Sequence, residues 1–196
     1  MICIKKELVD VDVNDILYGN TISSSDKGCN ILQVTLPLKC GKKLTVVGCR
    51  METGGKKSWR ELYDSERHYF DVVLIPMIKN IDKDNICIVG GDFNNAICRG
   101  KLSEKFNSRD YVKGNTEYAQ YNYNLNIIKD TFDTMGFTMM DIDEKEKAIP
   151  TCGTIPNDHI FVRGLKKKSC ESIPVNKQLS DHKIILAECV SEIVKE

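Results

Sequence analysis

One stretch of the sequence, residues 85–94, constrains the fold more than any other. It opens with an unbroken apolar run, Ile86–Val89, which is rich in β-branched side chains and short enough for a strand buried on both faces. Gly90 and Gly91 follow directly. Because glycine lets the backbone turn sharply or approach a ligand closely, we expect the strand to end there. The stretch predicts a central strand that stops at a glycine pair.

Two polar side chains come immediately after the glycine pair. Asp92 and Asn94 flank Phe93, and in extended backbone the two would share one face while Phe93 enters the core. A carboxylate beside an amide at the end of a buried strand can hold a metal ion, a water molecule or a phosphate. The same residue types also dominate ordinary turns for conformational reasons. This segment alone does not distinguish a functional site from an ordinary turn.

The composition places the chain in a broad class without indicating its chemistry. Its 196 residues suit one domain, 1–196, with a core of its own. Lys plus Arg and Asp plus Glu both number 28, so no overall field attracts nucleic acid, and a polyanion would need a local basic patch. The nine cysteines are scattered without metal-binding spacing, and most, such as Cys87 and Cys189, resemble small core residues. They favour a reducing cytoplasm.

No segment predicts membrane insertion or export. No stretch approaches the roughly 20 apolar residues of a membrane span. The beginning of the sequence lacks the layout of a signal peptide, because its basic residues follow the apolar ones. We therefore expect no membrane span and a cytoplasmic location.

The patterns around the central stretch predict a sheet-rich fold with a few helices. Two strand candidates, 31–38 and 43–51, are separated by a turn containing Gly41 and should form a hairpin. Apolar residues at helical spacing predict a helix over 59–78, which Pro76 should kink or end near its last turn. Upstream of the hairpin, the sequence predicts a strand over 9–17 and a loop over 19–28.

Later segments continue this mixture of strands and helices. A helix is predicted over 123–135, and strands over 160–162 and 183–190. Residues 96–120 are polar and mixed and predict a long loop. Lys166–Lys168 are the only dense basic cluster, which we interpret as a solvated loop after a strand.

Two further polar clusters stand directly before predicted strands. Asp158 and His159 precede one strand, and Asp181 and His182, after Ser180, precede the last. Such entry loops can gather polar groups at one rim of a sheet. Phosphoester hydrolysis uses a carboxylate that holds Mg²⁺ or orients an imidazole, and an imidazole that donates to a phosphoryl oxygen or leaving group. One Asp–His pair can be a simple strand cap, whereas three polar clusters in this order favour a site.

The order of the three clusters resembles that of the endonuclease/exonuclease/phosphatase superfamily. The family shows GDFN, then a loop containing Thr or Ser that leads into D-[HYR]-I, then SDH before the final strand. This chain has GDFN at 91–94, Thr151 and Thr154, DHIFV at 158–162 and SDH at 180–182. The resemblance covers roughly residues 30–190. It implies an α+β fold of two packed mixed sheets flanked by helices, a four-layer α/β/β/α sandwich.

The resemblance also implies a role for each matching residue. Asp92 matches the aspartate that polarises or deprotonates the attacking water, and Asn94 the amide that orients the water and the phosphate. Asp158 matches the carboxylate that holds a histidine, and His182 matches that histidine, which contacts the scissile phosphate. Asp181 matches the SDH aspartate near the divalent cation. Asp92, Asn94 and Asp181 are therefore the implied ligands of Mg²⁺, or of Mn²⁺.

Two departures from the family pattern bear on this site. Arg50 stands where the family usually has a histidine; it cannot act as a general acid at neutral pH, but it can grip phosphate through two donors. With Asn94 and Thr154 it is an implied substrate-binding residue, whereas His159 falls at a variable family position and is expected to be structural. The family's early asparagine and metal-binding glutamate have no matching motif before Ile31. We therefore expect a fold truncated at its N-terminus, with a second chain as one source of the missing half.

The resemblance implies a metal-dependent phosphoester hydrolase, a nuclease or a phosphatase, that uses a metal-assisted water for in-line attack. The alternative is a non-catalytic phosphoester-binding or partner-binding remnant that lacks the glutamate. The implied partner is a phosphoester, and nucleic acid is one candidate class. Neutral net charge argues against a non-specific nuclease that relies on many phosphate contacts. If the implied roles hold, Asp158 lies within hydrogen-bond distance of His182 and raises the pKa of its ring.

Overall fold

The structure, a computed structural model, describes residues 21–23, 30–51, 58–96, 101–102 and 121–191. The strands in these ranges are β1 (Thr21–Ser23), β2 (Asn30–Pro37), β3 (Lys43–Arg50), β4 (Ile86–Asp92), β5 (Thr138–Met139), β6 (Asp158–Arg163), β7 (Leu165–Ile173) and β8 (Ile184–Ser191). The helices are α1 (Trp59–Tyr69), a π-helical segment (Phe70–Leu74), α2 (Ile75–Lys79) and α3 (Leu125–Thr134).

Six of these strands form one mixed sheet, in the order β1–β2–β3–β4–β6–β5. The strands β2 and β3 are an antiparallel hairpin, β3 and β4 are parallel, and β4 and β6 are antiparallel. The second sheet consists of β7 and β8 in antiparallel pairing, and β8 contacts β6. The predicted α+β class with two sheets is therefore confirmed, as is the hairpin.

The main core lies on one face of the six-stranded sheet. Cys87 and Val89, alternate residues of β4, are fully buried there, and Phe93 continues the same face. The ring of Phe93 meets Phe132 of α3 and Phe161 of β6, with centroids 6.2 and 5.8 Å apart. The last residues of β4 are only half-buried. The core therefore fixes the central strand from one side and leaves its polar end accessible from the other.

The glycine pair does not end the central strand, so that prediction is wrong. β4 runs through Gly90 and Gly91 to Asp92, because both glycines stay paired with β6. Gly91 has a φ of 149°, and a Cβ at this position would lie 1.8 Å from the carbonyl oxygen of Cys49. Glycine is therefore needed for the close approach of β3 and β4. Because Gly91 permits this approach, β4 continues as a strand up to Asp92 and does not give way to a loop.

The helix predicted over 59–78 is confirmed, and it ends at Lys79, within one turn of Pro76. The chain passes from α1 through the π-helical segment into α2, and Pro76 lies in the first turn of α2. A proline inside an unbroken α-helix removes one hydrogen bond and clashes with the carbonyl four residues earlier. The π-helical bonding, in which the N–H of Ile75 donates to the carbonyl of Phe70, changes the spacing just before the proline. The helix therefore continues to Lys79.

The interpretation of Lys166–Lys168 as a loop is wrong, because the cluster lies in strand β7. Lys168 forms an ion pair with Glu188 of β8 at 2.6 Å, and the Lys167 ammonium donates to the carbonyl of Ile142 at 2.6 Å. Lysine is a common residue of exposed strands because it discourages edge-to-edge pairing. The three consecutive lysines interrupt the alternation of apolar and polar residues that normally indicates a strand, so the sequence did not predict β7.

The later helix and strands are confirmed, with shifted ends. α3 stops one residue before Met135, and Gly136, at a φ of 78°, follows as predicted for the end of a helix.

The six cysteines of the described ranges are free thiols. Cys87 lies in the core as predicted, whereas Cys189 is only half-buried. Among the described helices, none is long and apolar enough to cross a membrane.

Some predictions concern residues outside the described ranges. They are the strand over 9–17, the loop over 19–28 except for β1, and the loop over 96–120 except for its first residue and 101–102. Within the predicted loop 19–28, β1 is a correction, because residues 21–23 pair with β2.

Candidate active site

Four strands of the main sheet meet at one rim, and their terminal residues line up across it. In the register of the sheet, Asn30 of β2 pairs with Arg50 of β3. Asp92 of β4 pairs with Arg50 on one side and with Asp158 of β6 on the other. Paired residues of neighbouring strands project from the same face of a sheet. The register therefore places an amide, a guanidinium and two carboxylates in one row, which we call the polar row.

Asn94 is held beside Asp92 by a turn, not by the strand alternation that the sequence predicted. Its backbone has a φ of 46°, in the left-handed region that asparagine tolerates. One carboxylate oxygen of Asp92 accepts the backbone N–H of Asn94, and the other accepts its side-chain Nδ2, both at 3.1 Å. Nδ2 also donates to the carbonyl of Met51 at 3.1 Å. These bonds direct the amide nitrogen into the protein and leave Oδ1 for a water, a cation or a phosphate.

Thr151 positions Asp158 through the backbone. Its buried hydroxyl oxygen accepts the N–H of Asn157 and of Asp158, both at 3.2 Å. Its carbonyl accepts the N–H of Lys183 at 2.9 Å. Asp158 is the first residue of β6 rather than part of the predicted entry loop, because it pairs with Asp92. One threonine therefore ties the beginning of β6 to the segment that enters β8.

The predicted contact between Asp158 and His182 is confirmed. Nδ1 of His182 lies 2.7 Å from Oδ2 of Asp158, and both side chains are about a quarter exposed, at 24% and 23%. The backbone N–H of His182 donates to the hydroxyl of Ser180 at 3.0 Å. Within the described part of the chain, Nε2 of His182 makes no hydrogen bond. The carboxylate thus fixes the ring through one nitrogen and leaves the other for a ligand.

The environment of Asp92 raises the pKa of its carboxyl group. Burial is the largest cause, and the negative charge of Asp158 adds to it. The N–H of Asn94 and the positive charges of His182 and Arg50 act in the opposite direction without cancelling the shift. The repulsion between two facing carboxylates is what a bound cation would relieve.

The environment of His182 raises the pKa of its ring, as the sequence predicted. Burial alone lowers this pKa, because it disfavours the charged imidazolium. The hydrogen bond and charge of Asp158, with the charges of Asp92 and Asp181, outweigh that effect. The ring is therefore held in its positively charged form to a higher pH than a free histidine, with its open nitrogen able to donate to an anion.

The residues at the rim fit a divalent cation. Asp92, Asp158 and His182 each offer one ligand atom, and these atoms all lie within 4.8 Å of one another. Carboxylate and amide oxygens are the ligands that Mg²⁺ and Mn²⁺ prefer, and the amide of Asn94, whose Nδ2 donates to Asp92, carries one further oxygen. The donor set and the mutual repulsion of the carboxylates both suit such an ion.

The other predicted site residues surround this rim. Arg50 is exposed and lies in the polar row beside Asp92. Thr154 is exposed in the turn between Cys152 and Ile155. Asp181 is exposed and falls into a second group of possible metal ligands, described below. Their assignments to substrate and metal stay predictions.

A buried network behind the rim was not predicted beyond the structural role of His159. Nδ1 of His159 lies 2.7 Å from Oδ2 of Asp141, and Nε2 lies 2.7 Å from Oδ1 of Asn95. All three side chains are buried. The available signal was the adjacent pair Asp158–His159, because neighbours in a strand face opposite sides and cannot both face one site.

The two sheets, their helices and the polar rim define the class of fold. It is the α+β fold of endonuclease/exonuclease/phosphatase proteins, so the resemblance found in the motifs is confirmed for the fold. TDP2 of D. rerio is similar in two solved structures, a humanized form and a complex with a single-strand DNA product. Both are 16% identical to this chain over 90% of its length and cover 67% and 68% of TDP2, with TM-scores of 0.56 and 0.50.

Two other solved structures show the same similarity over a smaller share of their own length. An endonuclease/exonuclease/phosphatase protein from Beutenbergia cavernae is 15% identical over 84% of this chain and 40% of its own, with a TM-score of 0.56. The human Nocturnin catalytic domain with a bound sulfate anion is 15% identical over 91% of this chain and 61% of its own, with a TM-score of 0.55. No family model matches the sequence, and no curated protein does.

Proposed function

We propose that this protein is a metal-dependent phosphoester hydrolase whose active site is the rim of Asp92, Asn94, Asp158 and His182. The observation that carries the proposal is the bond between Asp158 and Nδ1 of His182, opposite Asp92 in the sheet register. It leaves a charged, oriented imidazole facing two carboxylates. That arrangement suits a reaction in which an anion is bound while a water nearby loses a proton.

Each side chain has a task that follows from its environment. Asp92 accepts the proton of the attacking water. Oδ1 of Asn94 orients that water. His182 donates from Nε2 to a phosphoryl oxygen, and Asp158 holds the ring and stabilises its charge. Arg50 can reach a second phosphoryl oxygen from the neighbouring position of the polar row.

The proposed cofactor is Mg²⁺, with Mn²⁺ as a substitute. When bound, such an ion neutralises phosphate charge and favours ionisation of a bound water. Asp92, Asn94 and Asp181 are the proposed ligands, and the carboxylate of Asp158 lies close to that of Asp92 at the same rim.

We propose nucleic acid, and in particular a single strand, as the first substrate class to test. The fold is shared with TDP2 of D. rerio, which was solved with a single-strand DNA product, and with Nocturnin, which was solved with a sulfate anion. In this chain the supporting feature is the polar row, which extends from Asp158 past Arg50 to Asn30 and could follow a phosphate backbone across four strands.

The decisive assay compares turnover of bis(p-nitrophenyl) phosphate, p-nitrophenyl phosphate and a labelled single-stranded oligonucleotide. Each is measured in Mg²⁺, in Mn²⁺ and in EDTA. We expect cation-dependent hydrolysis of at least one substrate by the natural protein and by Asp84→Ala, a matched exposed carboxylate in a turn. Asp92→Ala should be inactive. Mn²⁺ binding without hydrolysis of any phosphoester would instead favour the non-catalytic remnant.

The proposed setting is the reducing cytoplasm, which suits the free thiols of the described ranges. Imaging of a tagged chain that places it in an oxidising compartment would contradict this. A single 1–196 domain and association with a second chain also stay proposals. Co-purification from native cells, followed by mass measurement of the intact complex, tests the second chain directly.

A further inference from the structure

A second cluster of metal-binding side chains lies beside the proposed catalytic histidine. Cys152 and His182 face each other in an isolated antiparallel bridge. The bond from the N–H of Lys183 to the carbonyl of Thr151, at 2.9 Å, fixes this bridge. Opposed residues of an antiparallel pair carry their side chains on the same side, with Cβ atoms about 4.5–5.5 Å apart. The backbone therefore directs the Cys152 thiol towards the His182 ring.

Asp181 completes this cluster from the position before His182. The sulfur of Cys152, a carboxylate oxygen of Asp181 and a ring nitrogen of His182 all lie within 4.8 Å of one another. None of the three side chains is fully buried. A tetrahedral cation needs its donors somewhat closer together than this, so the site would close by movement of these partly accessible side chains.

The donor atoms select a cation different from Mg²⁺. A thiolate, an imidazole and one carboxylate suit Zn²⁺ and other thiophilic ions, whereas Mg²⁺ prefers oxygen ligands throughout. Asp158 already bonds Nδ1 of His182, which leaves Nε2 as the nitrogen that can bind an ion. A carboxylate behind a ligating histidine is the usual support of a zinc-bound imidazole.

The negative charges around Cys152 also favour the binding of a cation. Burial, followed by the charges of Asp181, Asp158 and Asp92, raises the pKa of the thiol. The protonated thiol is a poor nucleophile at neutral pH, which argues against a redox or catalytic role for it. The same three carboxylates attract a cation, and a bound cation reverses the effect by displacing the thiol proton.

We propose that Cys152, Asp181 and His182 form a second cation site, specific for thiophilic divalent ions such as Zn²⁺, whose occupation inhibits the enzyme. Binding forms bonds from the ion to sulfur, nitrogen and oxygen. It releases the thiol proton, and also the Nε2 proton when the ring is charged. Inhibition follows because the ion takes the ring nitrogen of His182 that is proposed to contact the phosphate, and also takes Asp181, a proposed ligand of Mg²⁺, so the two sites overlap. The inhibitory part rests on the proposed function, whereas ion binding does not.

Co²⁺ titration of the full chain, with a non-thiol reductant present, tests ion binding without any assay of activity. Thiolate ligation to Co²⁺ gives a strong near-ultraviolet charge-transfer band. We expect this band in the natural protein and in Cys40→Ser, the control at an exposed cysteine. It should disappear in Cys152→Ser, and Zn²⁺ should abolish it by competition. Asp158→Asn should weaken Zn²⁺ binding by about 10- to 100-fold, as expected for a residue that supports a ligand.

Two results would overturn the site. One is a natural protein without a thiolate band, and the other is a band that survives in Cys152→Ser. For the inhibitory part, Zn²⁺ added to the Mg²⁺-supported reaction should stop the natural protein and leave Cys152→Ser active, at an unchanged rate without Zn²⁺. Equal inhibition of both would refute the inhibition. A chain with the band but no turnover would contradict the proposed function and retain the site.

Discussion

Two Asp–His pairs within the described ranges have the same hydrogen bond and opposite surroundings. In each, Nδ1 of the ring lies 2.7 Å from a carboxylate oxygen, in Asp158–His182 at the rim and in Asp141–His159 behind it. The rim pair is about a quarter exposed, whereas both members of the buried pair have no exposed side-chain surface.

The second ring nitrogen separates their roles. In the buried pair, Nε2 of His159 faces Oδ1 of Asn95 at 2.7 Å, and the Asn95 amide nitrogen donates to two backbone carbonyls. This network makes Nε2 a donor, because the amide cannot rotate without losing both bonds. The ring is therefore fully satisfied within the protein. At the rim, Nε2 of His182 has no hydrogen bond in the described ranges, so we expect chemistry there and stability from the buried pair.

The largest effect is expected from removing the open nitrogen. His182→Ala should lower kcat for phosphoester hydrolysis by about 10²- to 10⁴-fold, the usual contribution of a positioned acid or base. His68→Ala, at an exposed histidine of α1, is the control and should keep full activity. Steady-state kinetics with the best substrate of the initial screen would decide this, and a His182→Ala enzyme of normal rate would remove His182 from the reaction.

The next effect concerns the buried ring. His159→Ala leaves the Asp141 carboxylate and the Asn95 amide without their partner in the core, and should reduce the free energy of unfolding by about 3–5 kcal/mol. Urea titration followed by circular dichroism measures this loss. A change below about 1 kcal/mol would mean that the buried network contributes no more than an exposed ion pair.

The charge of the rim ring should follow the environment described above. In metal-free protein, NMR titration of the three histidines should give His182 a pKa above about 6.5, and Asp158→Asn should lower it. A raised pKa means that the folded state binds the proton more tightly than the unfolded state. The associated stability is therefore complete below the unfolded pKa and is lost as the pH rises through the folded pKa. A His182 pKa at or below the free value would contradict the assigned electrostatics.

The smallest effect is expected from the far part of the polar row. If nucleic acid is the substrate, Arg50→Gln should weaken binding and reduce the salt dependence of log KM by about one unit of slope, as expected for one lost phosphate contact. Lys168→Gln should leave the slope unchanged, because Lys168 is paired with Glu188. A slope changed by Lys168→Gln but not by Arg50→Gln would move the binding surface from the rim to β7.

The sequence predicted the rim better than it predicted the backbone that carries it. GDFN and SDH each mark a short segment, and the meeting of Asp158 with His182 was implied by the resemblance of these motifs to those of the family. The path of β4 through Gly91 could not be predicted, because the need for glycine comes from Cys49 on a strand far away in sequence. The turn at Asn94 depends likewise on the carbonyl of Met51.

The buried network and the cysteine cluster were inaccessible for a related reason. Asp141 and Asn95 are ordinary polar residues in the sequence, and only the fold brings them to His159. Cys152 gives no spacing signal, because its partners lie about 30 residues away and reach it through one bridge. Local patterns fix which residues form strands, whereas long-range pairing decides which polar groups meet.

The rim pair serves the reaction and the buried pair serves stability, and two matched substitutions test this division most directly. Asp158→Asn and Asp141→Asn each replace one carboxylate oxygen with nitrogen, at equal hydrogen-bond distance from a histidine. Turnover and urea unfolding are measured for both. We predict that Asp158→Asn loses about 10²-fold or more in kcat and less than about 1 kcal/mol of stability. Asp141→Asn should lose about 3 kcal/mol of stability while its folded fraction keeps near-normal kcat. The reverse pattern, or equal effects of both substitutions on kcat, would contradict the account.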